Sequence, residues 1–190
     1  MRTYSNGWEG IATEMVSGSM NRAENETAIH YLCTQFGDLT DQDDWIEIFL
    51  EHRLNAPYYW WTWDHNDTYQ EAIYHGVKNT SITAQDTLVI MVNSSNYYHC
   101  WINYVDVREG FLYTVDGYAG YQKELFSETD VFTDDDSSSV FWRNWLYNGE
   151  GWEDWDNGIS GGTWFRDDDP IQIDESVWLG YYYFPTWVEN

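Results

Sequence analysis

Apolar positions recur along the first third of the chain at spacings of three and four. In residues 8–20, WEGIATEMVSGSM, Ile11, Met15 and Val16 fall together with Ala12 beside them, and this predicts a first helix. In 24–36, ENETAIHYLCTQF, the stripe Ala28, Ile29, Leu32, Cys33 and Phe36 predicts a second, with Gly37 as its stop. Thr40 then stands as the cap of a third helix, DQDDWIEIFLEHRL, with aspartates in its first turn and His52 and Arg53 in its last, as the helix dipole prefers. Pro57 interrupts the pattern. A fourth helix is expected through Tyr69, Ala72, Ile73 and Val77.

Downstream the pattern changes. Thr87–Asn93, TLVIMVN, is a continuous apolar run of the length of a buried strand. His99–Asp116, HCWINYVDVREGFLYTVD, reads as two strands rich in β-branched and aromatic residues, with a turn at Arg108-Glu109-Gly110. A short helix is expected at Ser127–Phe132. The expected class is therefore α+β: N-terminal helices followed by an antiparallel sheet, with an aromatic-rich C-terminal β extension. The polar run DDDSSS (134–139) marks the boundary between a domain at 1–133 and a Trp-rich acidic extension, 134–190, packed on it.

Composition adds an environment. The chain has 33 Asp and Glu against 8 Lys and Arg, a net charge of −25, and its lysines are Lys78 and Lys123. Such a fold repels itself in dilute buffer, and molar salt removes the repulsion. A halophilic setting follows, with an acidic extracellular Ca²⁺-binding protein as the competing reading. No basic patch exists to meet phosphate, so nucleic acid and anionic membrane are excluded as partners. No apolar stretch is long enough to span a bilayer and no signal peptide is visible, which leaves a high-salt cytoplasm or an extracellular location open. Disorder, the usual reading of high charge, conflicts with 13 Trp, 16 Tyr and 8 Phe.

The chemistry-bearing residues are few. An antiparallel pairing of the two strands in 99–116 brings His99 beside Asp116, and a carboxylate next to an imidazole fixes its tautomer for general-base work. The same residues also fit a surface histidine and a turn aspartate. Cys33 and Cys100 have no metal-type spacing and read as buried thiols. Trp60, Trp61, Trp63 and His65 could line a sugar- or peptide-binding groove or pack a core. Asp134–Asp136, Asp167–Asp169 and the group Asp154, Asp156, Asn157 and Gly158 carry donors for Ca²⁺, and a solvated acidic face accounts for them as well. No cofactor is otherwise expected.

The sequence of GIATEM, the apolar run TLVIMVN, His99, then Asp116 in VDGYAG and the segment LFSETDVF resembles the papain-like cysteine peptidases, and among them the C39-like family. The resemblance implies a helical start, a His99–Asp116 dyad and a cleft for a peptide or protein ligand. It also places Trp8 where the family carries its nucleophilic cysteine, and an indole cannot act as that nucleophile. The implied function is a catalytically impaired C39-like protein, a peptide- or protein-binding or structural module in high salt. The alternatives are an active hydrolase with a nucleophile elsewhere, Cys33 being the candidate thiol, and an aromatic-rich carbohydrate-binding protein. Oligomeric state is not legible.

Overall fold

The computed structural model describes the backbone of residues 2–4, 9–21, 27–36, 44–53, 57–66, 69–78, 84–93, 95, 97–111, 122–129, 136–155, 171–173, 176–178 and 181–188. Its elements are all strands: Arg2–Tyr4 (β1), Gly10–Asn21 (β2), Thr27–Phe36 (β3), Asp44–Arg53 (β4), Tyr58–Asn66 (β5), Tyr69–Val77 (β6), Asp86–Val92 (β7), Tyr97–Ile102 (β8), Val105–Phe111 (β9), Gln122–Thr129 (β10), Asp136–Tyr147 (β11), Trp152–Asp154 (β12), Ile171–Ile173 (β13), Ser176–Trp178 (β14) and Tyr181–Val188 (β15). They form two antiparallel sheets. One has six strands in the order β1-β10-β3-β4-β5-β6. The other has nine, running β13-β15-β11-β2-β7-β8-β9 with β12 beside β11 and β14 beside β15.

This overturns the α+β, papain-like expectation. The four segments read as N-terminal helices are β2, β3, β4 and β6, and the segment read as a short helix at Ser127–Phe132 begins inside β10. The physical reason is visible in β4. Ile46, Ile48 and Leu50 are fully buried, and the residues between them face the other way, a period of two rather than 3.6. A stripe at i, i+4 satisfies both periods, so Ile11 and Met15 share a face on a strand as they would on a helix. Both are fully buried in β2, with Thr13 between them on the same face. β-branched and aromatic side chains favour the extended form, and here they decide the outcome.

The turn in the β8–β9 hairpin also lies elsewhere. Arg108-Glu109-Gly110 is inside β9, and the chain reverses at Asn103 and Tyr104, both with positive φ (51° and 66°). Two consecutive left-handed residues make the hairpin turn whose twist matches that of the strands. The run read as a buried strand forms β7, which pairs with β2 and β8. It buries Asp86, Leu88, Ile90 and Val92 and turns Thr87, Val89 and Met91 outward. β11, at the start of the Trp-rich segment, pairs with β2 on one side and with β15 on the other.

The core lies between the sheets. Ile46, Ile48, Leu50 and Trp60 of the six-stranded sheet meet Ile11, Met15, Leu88, Ile90, Val92, Tyr98, Cys100 and Phe141 of the nine-stranded one. Each fully buried aliphatic side chain contributes about 1.5–3 kcal/mol. A polar bolt crosses this interior. Arg108 Nε donates to Tyr98 Oη (2.9 Å), and Tyr98 Oη donates to Asp64 Oδ2 (2.6 Å). The guanidinium also reaches Glu71 through its backbone oxygen (3.0 Å) and Oε2 (2.9 Å), and Thr62 Oγ1 at 3.3 Å. Thr62 Oγ1 lies 2.7 Å from His75 Nε2. Burial pushes the Asp64 carboxyl above its usual range, opposed by the Tyr98 hydrogen bond and the Arg108 charge. It also pushes the Tyr98 hydroxyl up and the His75 imidazole down. Gly110 makes room for the bolt: a Cβ there would stand 2.7 Å from Tyr98 Oη. A second buried pair, Lys78 with Asp86, is held by Ala84 O (3.0 Å from Nζ) and by Asn103 Nδ2 (2.7 Å from Asp86 Oδ1).

Candidate functional site

The strand period that points Ile46, Ile48 and Leu50 inward points Trp45, Glu47, Phe49 and Glu51 outward from β4. On β5, Trp60, Thr62 and Asp64 face the core side, so Tyr59, Trp61, Trp63 and His65 share the outer face. The register aligns the two rows: Trp45 opposite His65, Glu47 opposite Trp63, Phe49 opposite Trp61 and Glu51 opposite Tyr59. β6 continues them, with Tyr74 opposite Trp61 and Ala72 opposite Trp63.

The rings form a continuous surface. Phe49 and Trp61 stack with centroids 6.4 Å apart and planes 11° apart. Tyr74 lies 5.4 Å from Trp61 and 5.8 Å from Tyr59. Trp45 stacks on His65 at 3.7 Å, with Trp63 edge-on to both. Gln70 hydrogen-bonds the His65 ring from the neighbouring strand. Tyr74, 49% exposed, is the open end of this surface.

Two carboxylates sit among these rings. Glu47 is 8% exposed and Glu51 6%, although both are on the outward face. The indole N–H groups of Trp45 and Trp61 are buried and make no hydrogen bond. Aromatic faces that pack against C–H groups and carboxylates that accept from hydroxyls or amines are the elements of a site for a polar organic ligand.

The sequence-derived candidates scatter. Trp61, Trp63 and His65 lie on this face, whereas Trp60 is 6% exposed in the core. His99 is on the outer face of the other sheet. Its Nδ1 lies 2.8 Å from Asp106 Oδ2 and 3.8 Å from Glu109 Oε2, with Trp101 stacked on the ring at 5.2 Å. The carboxylate beside His99 in the described structure is thus Asp106. Asp116, the expected partner, lies outside the described residues, as does Trp8. Cys100 is fully buried, and desolvation pushes its thiol up and away from reactivity. Cys33 is in β3, in register with Glu47 on one side and Glu124 on the other. Of the acidic groups considered for Ca²⁺, Asp154 is an exposed residue of β12 and Asp136 begins β11, while Asp134, Asp135, Asp156, Asn157, Gly158 and Asp167–Asp169 lie outside the described residues. Among the described residues no three His, Cys, Asp or Glu side chains are grouped to hold a metal, and no helix is long and apolar enough to cross a membrane.

Residues missed by sequence reasoning are Trp45, Glu47, Phe49, Glu51, Tyr59 and Tyr74. For the first four the signal is the run W-I-E-I-F-L-E, which interleaves an aliphatic row with an aromatic and acidic one; Tyr59 and Tyr74 join them only through the register of β5 and β6.

No family model matches the chain, and no curated protein matches it in sequence. Solved structures do match. Scytalido-glutamic peptidase with a transition state analog inhibitor superposes with a TM-score of 0.69 at 10% identity, over 98% of this chain and 96% of the peptidase. The same peptidase with a peptide-based transition state analog gives 0.67 at 10% identity over the same shares. SCP-B, a member of the eqolisin family of peptidases bound to the tripeptide Ala-Ile-His, gives 0.64 at 12% identity, again over 98% and 96%. These neighbours and the all-strand architecture overturn the C39-like assignment and the impaired cysteine peptidase drawn from it: there is no helix at Gly10 to present a nucleophile, because Gly10 opens β2. What the likeness shows is the fold, a two-sheet all-β architecture shared with glutamic peptidases across nearly the whole chain.

Proposed function

We propose that this protein binds an extended carbohydrate chain across the outer face of the six-stranded sheet. The observation that carries this reading is the interleaving of rings and carboxylates on one face: Trp61, Trp63, Tyr59 and Tyr74 provide flat apolar surface, and Glu47 and Glu51 lie between them. Sugar rings present C–H groups on their faces and hydroxyls on their edges. The aromatic surface takes the former and the carboxylates take the latter. The net charge of −25 selects neutral or amine-bearing chains over uronates and sulfated chains.

The test is affinity electrophoresis and calorimetry against neutral, amino and anionic polysaccharides in molar KCl. Retention by a neutral or amino polymer is expected, with loss in Trp61→Ala and Tyr74→Ala variants that keep the wild-type melting transition. Equal retention of wild type and both variants would remove the face from the account.

A second reading rests on one observation. The fold is that of glutamic peptidases, and buried glutamates occupy the outer face. Acid hydrolysis of peptides with Glu47 as the proton-carrying group is the activity that would follow. Cleavage of a denatured protein substrate at acid pH in molar salt, abolished by Glu47→Gln, would favour this reading over the first.

A further inference from the structure

Among the described residues the pairing of β5 with β6 carries the register shift of the six-stranded sheet, and it lies where the inner cluster meets the outer face. Trp60 pairs with Gly76 and Trp61 with Tyr74, so His75 is an extra residue that faces no partner on β5. Such a bulge re-aims the side chains beside it. Gly76 takes φ 110°, which costs glycine little and other residues more. Plain alternation would put Tyr74 and Val77 on opposite faces. With the bulge, both stand on the outer face, opposite Trp61 and Tyr59. Tyr74 thereby lies between these two rings, 5.4 Å from Trp61 and 5.8 Å from Tyr59.

The extra residue is anchored on the inner face. His75 is half-buried, and its Nε2 lies 2.7 Å from Thr62 Oγ1. Arg108 Nη1 donates to the same oxygen at 3.3 Å. A guanidinium only donates, so Thr62 accepts from Arg108 and its own hydroxyl proton is left for His75. That direction requires His75 Nε2 to accept, as it does in the neutral ring protonated at Nδ1. A protonated ring would turn a second donor toward the hydroxyl and set a cation beside Arg108. The other titratable groups of the cluster are Asp64 of β5, bonded to Tyr98 of β8, and Glu71 of β6, bonded to Arg108. Both carboxylates already hold other partners. Burial, and then the Arg108 charge, hold the His75 pKa below its ordinary 6.5.

We propose that His75 is a positioning residue for the outer face: its neutral ring holds the β6 bulge and fixes Tyr74 against Trp61, and its protonation releases Tyr74 and weakens ligand binding in acid. The binding half of this inference rests on the carbohydrate reading of the face. The coupling of His75 to Tyr74 does not, and the two are tested separately.

Both arms run in molar KCl between about pH 8 and pH 5, with far-ultraviolet circular dichroism recording the fold at each end. The first arm uses the free protein. Near-ultraviolet circular dichroism reports the coupling of the Trp61 and Tyr74 rings. The wild type should change reversibly with a midpoint below pH 6.5, and the midpoint should coincide with the titration of the His75 ring in NMR of the wild type. The change should be absent from Tyr74→Ala, which lacks the reporting ring. It should also be absent from His75→Gln, whose amide oxygen accepts from Thr62 and does not titrate. His65 on the outer face and His99 on the other sheet are imidazoles as well, and the change should persist in His65→Gln and His99→Gln.

In the second arm a soluble neutral glucan, which does not itself titrate, is added in a calorimeter. Wild-type affinity should fall about ten-fold from the upper to the lower pH. His75→Gln should match the wild type at the upper pH and hold that affinity within about two-fold at the lower, whereas His75→Ala should bind weakly at both. A wild-type dichroism signal that does not change, a change that survives in His75→Gln or vanishes in His65→Gln, or a glucan affinity independent of pH would overturn the proposal. No binding of the glucan at either pH would overturn the binding role of His75, while the first arm still decides its hold on Tyr74.

Discussion

Two sets of charged and polar side chains lie on opposite sides of the six-stranded sheet, and they differ in what surrounds them. On the inner face, Asp64, Thr62, Tyr98, Arg108 and Glu71 are polar groups among polar groups, each bonded to the next. On the outer face, Glu47 and Glu51 are carboxylates among rings, with unbonded indole N–H groups nearby. The first arrangement spends its hydrogen-bonding capacity on holding the sheets together. The second sits on a face that presents the half-buried rings of Tyr59, Trp61 and Trp63 and the exposed ring of Tyr74, which is what a ligand requires. Burial alone does not distinguish them, since Glu47 and Arg108 are both 8% exposed. Their placement does: Arg108 points between the sheets to Tyr98 and Thr62, and Glu47 points away from the core beside Trp63.

The comparison breaks most visibly at Arg108. Arg108→Met strands Asp64 and Glu71 without their cation, and a loss of about 3–5 kcal/mol is expected in chemical denaturation. A loss below about 1 kcal/mol would show that the bolt does not hold the sheets. Gly110→Ala is the next test of the same cluster. The new methyl meets the Tyr98 hydroxyl, and overpacking of this kind costs about 1–3 kcal/mol. An unchanged melting temperature would mean that the Tyr98 ring can move without disturbing Asp64.

Smaller effects sharpen the picture. Tyr104 is left-handed at φ 66° and exposed, so Tyr104→Gly should raise stability by up to about 1 kcal/mol. Burial lowers the His75 pKa from an ordinary value of 6.5, so the folded state binds fewer protons than the unfolded state below that value. Stability should therefore rise as pH increases toward and through 6.5, and His75→Gln should flatten that rise. A rise of the same size in the variant would assign it to other groups. With a net charge of −25, the melting temperature should also increase from dilute buffer to molar KCl in scanning calorimetry. A flat or falling profile would contradict the halophilic reading.

What was legible in the sequence depended on whether a pattern had one interpretation or two. Thr87–Asn93 is too short and too apolar for a surface helix, and it is a strand. In residues 44–53 the aliphatic side chains Ile46, Ile48 and Leu50 recur at every second position, yet aspartates at one end and His52 and Arg53 at the other imitate a capped helix. In β2 the spacing of Ile11 and Met15 is shared by both structures, so periodicity there could not decide. The hairpin reverses at Asn103 and Tyr104, which take the left-handed conformation, and not at the only glycine in the segment, and this brings Asp106 beside His99. Arg108 therefore lies inside β9 with its side chain buried and not in a turn, and nothing local marks an arginine that pairs with residues more than thirty positions away, as Glu71 is. The tryptophan cluster at 60–63 was recognisable as a candidate surface. Which of its members faced outward required the register of β4 and β5.

The central claim is that the outer face of the six-stranded sheet binds ligand while the inner cluster holds the fold. The most direct measurement is calorimetric titration, in molar KCl, of a polysaccharide retained by the wild type into Glu47→Gln, with the variant's denaturation curve recorded alongside. The account predicts an affinity at least about ten-fold weaker and a stability within about 1 kcal/mol of wild type. Unchanged affinity, or an affinity loss that merely accompanies a large loss of stability, would contradict it.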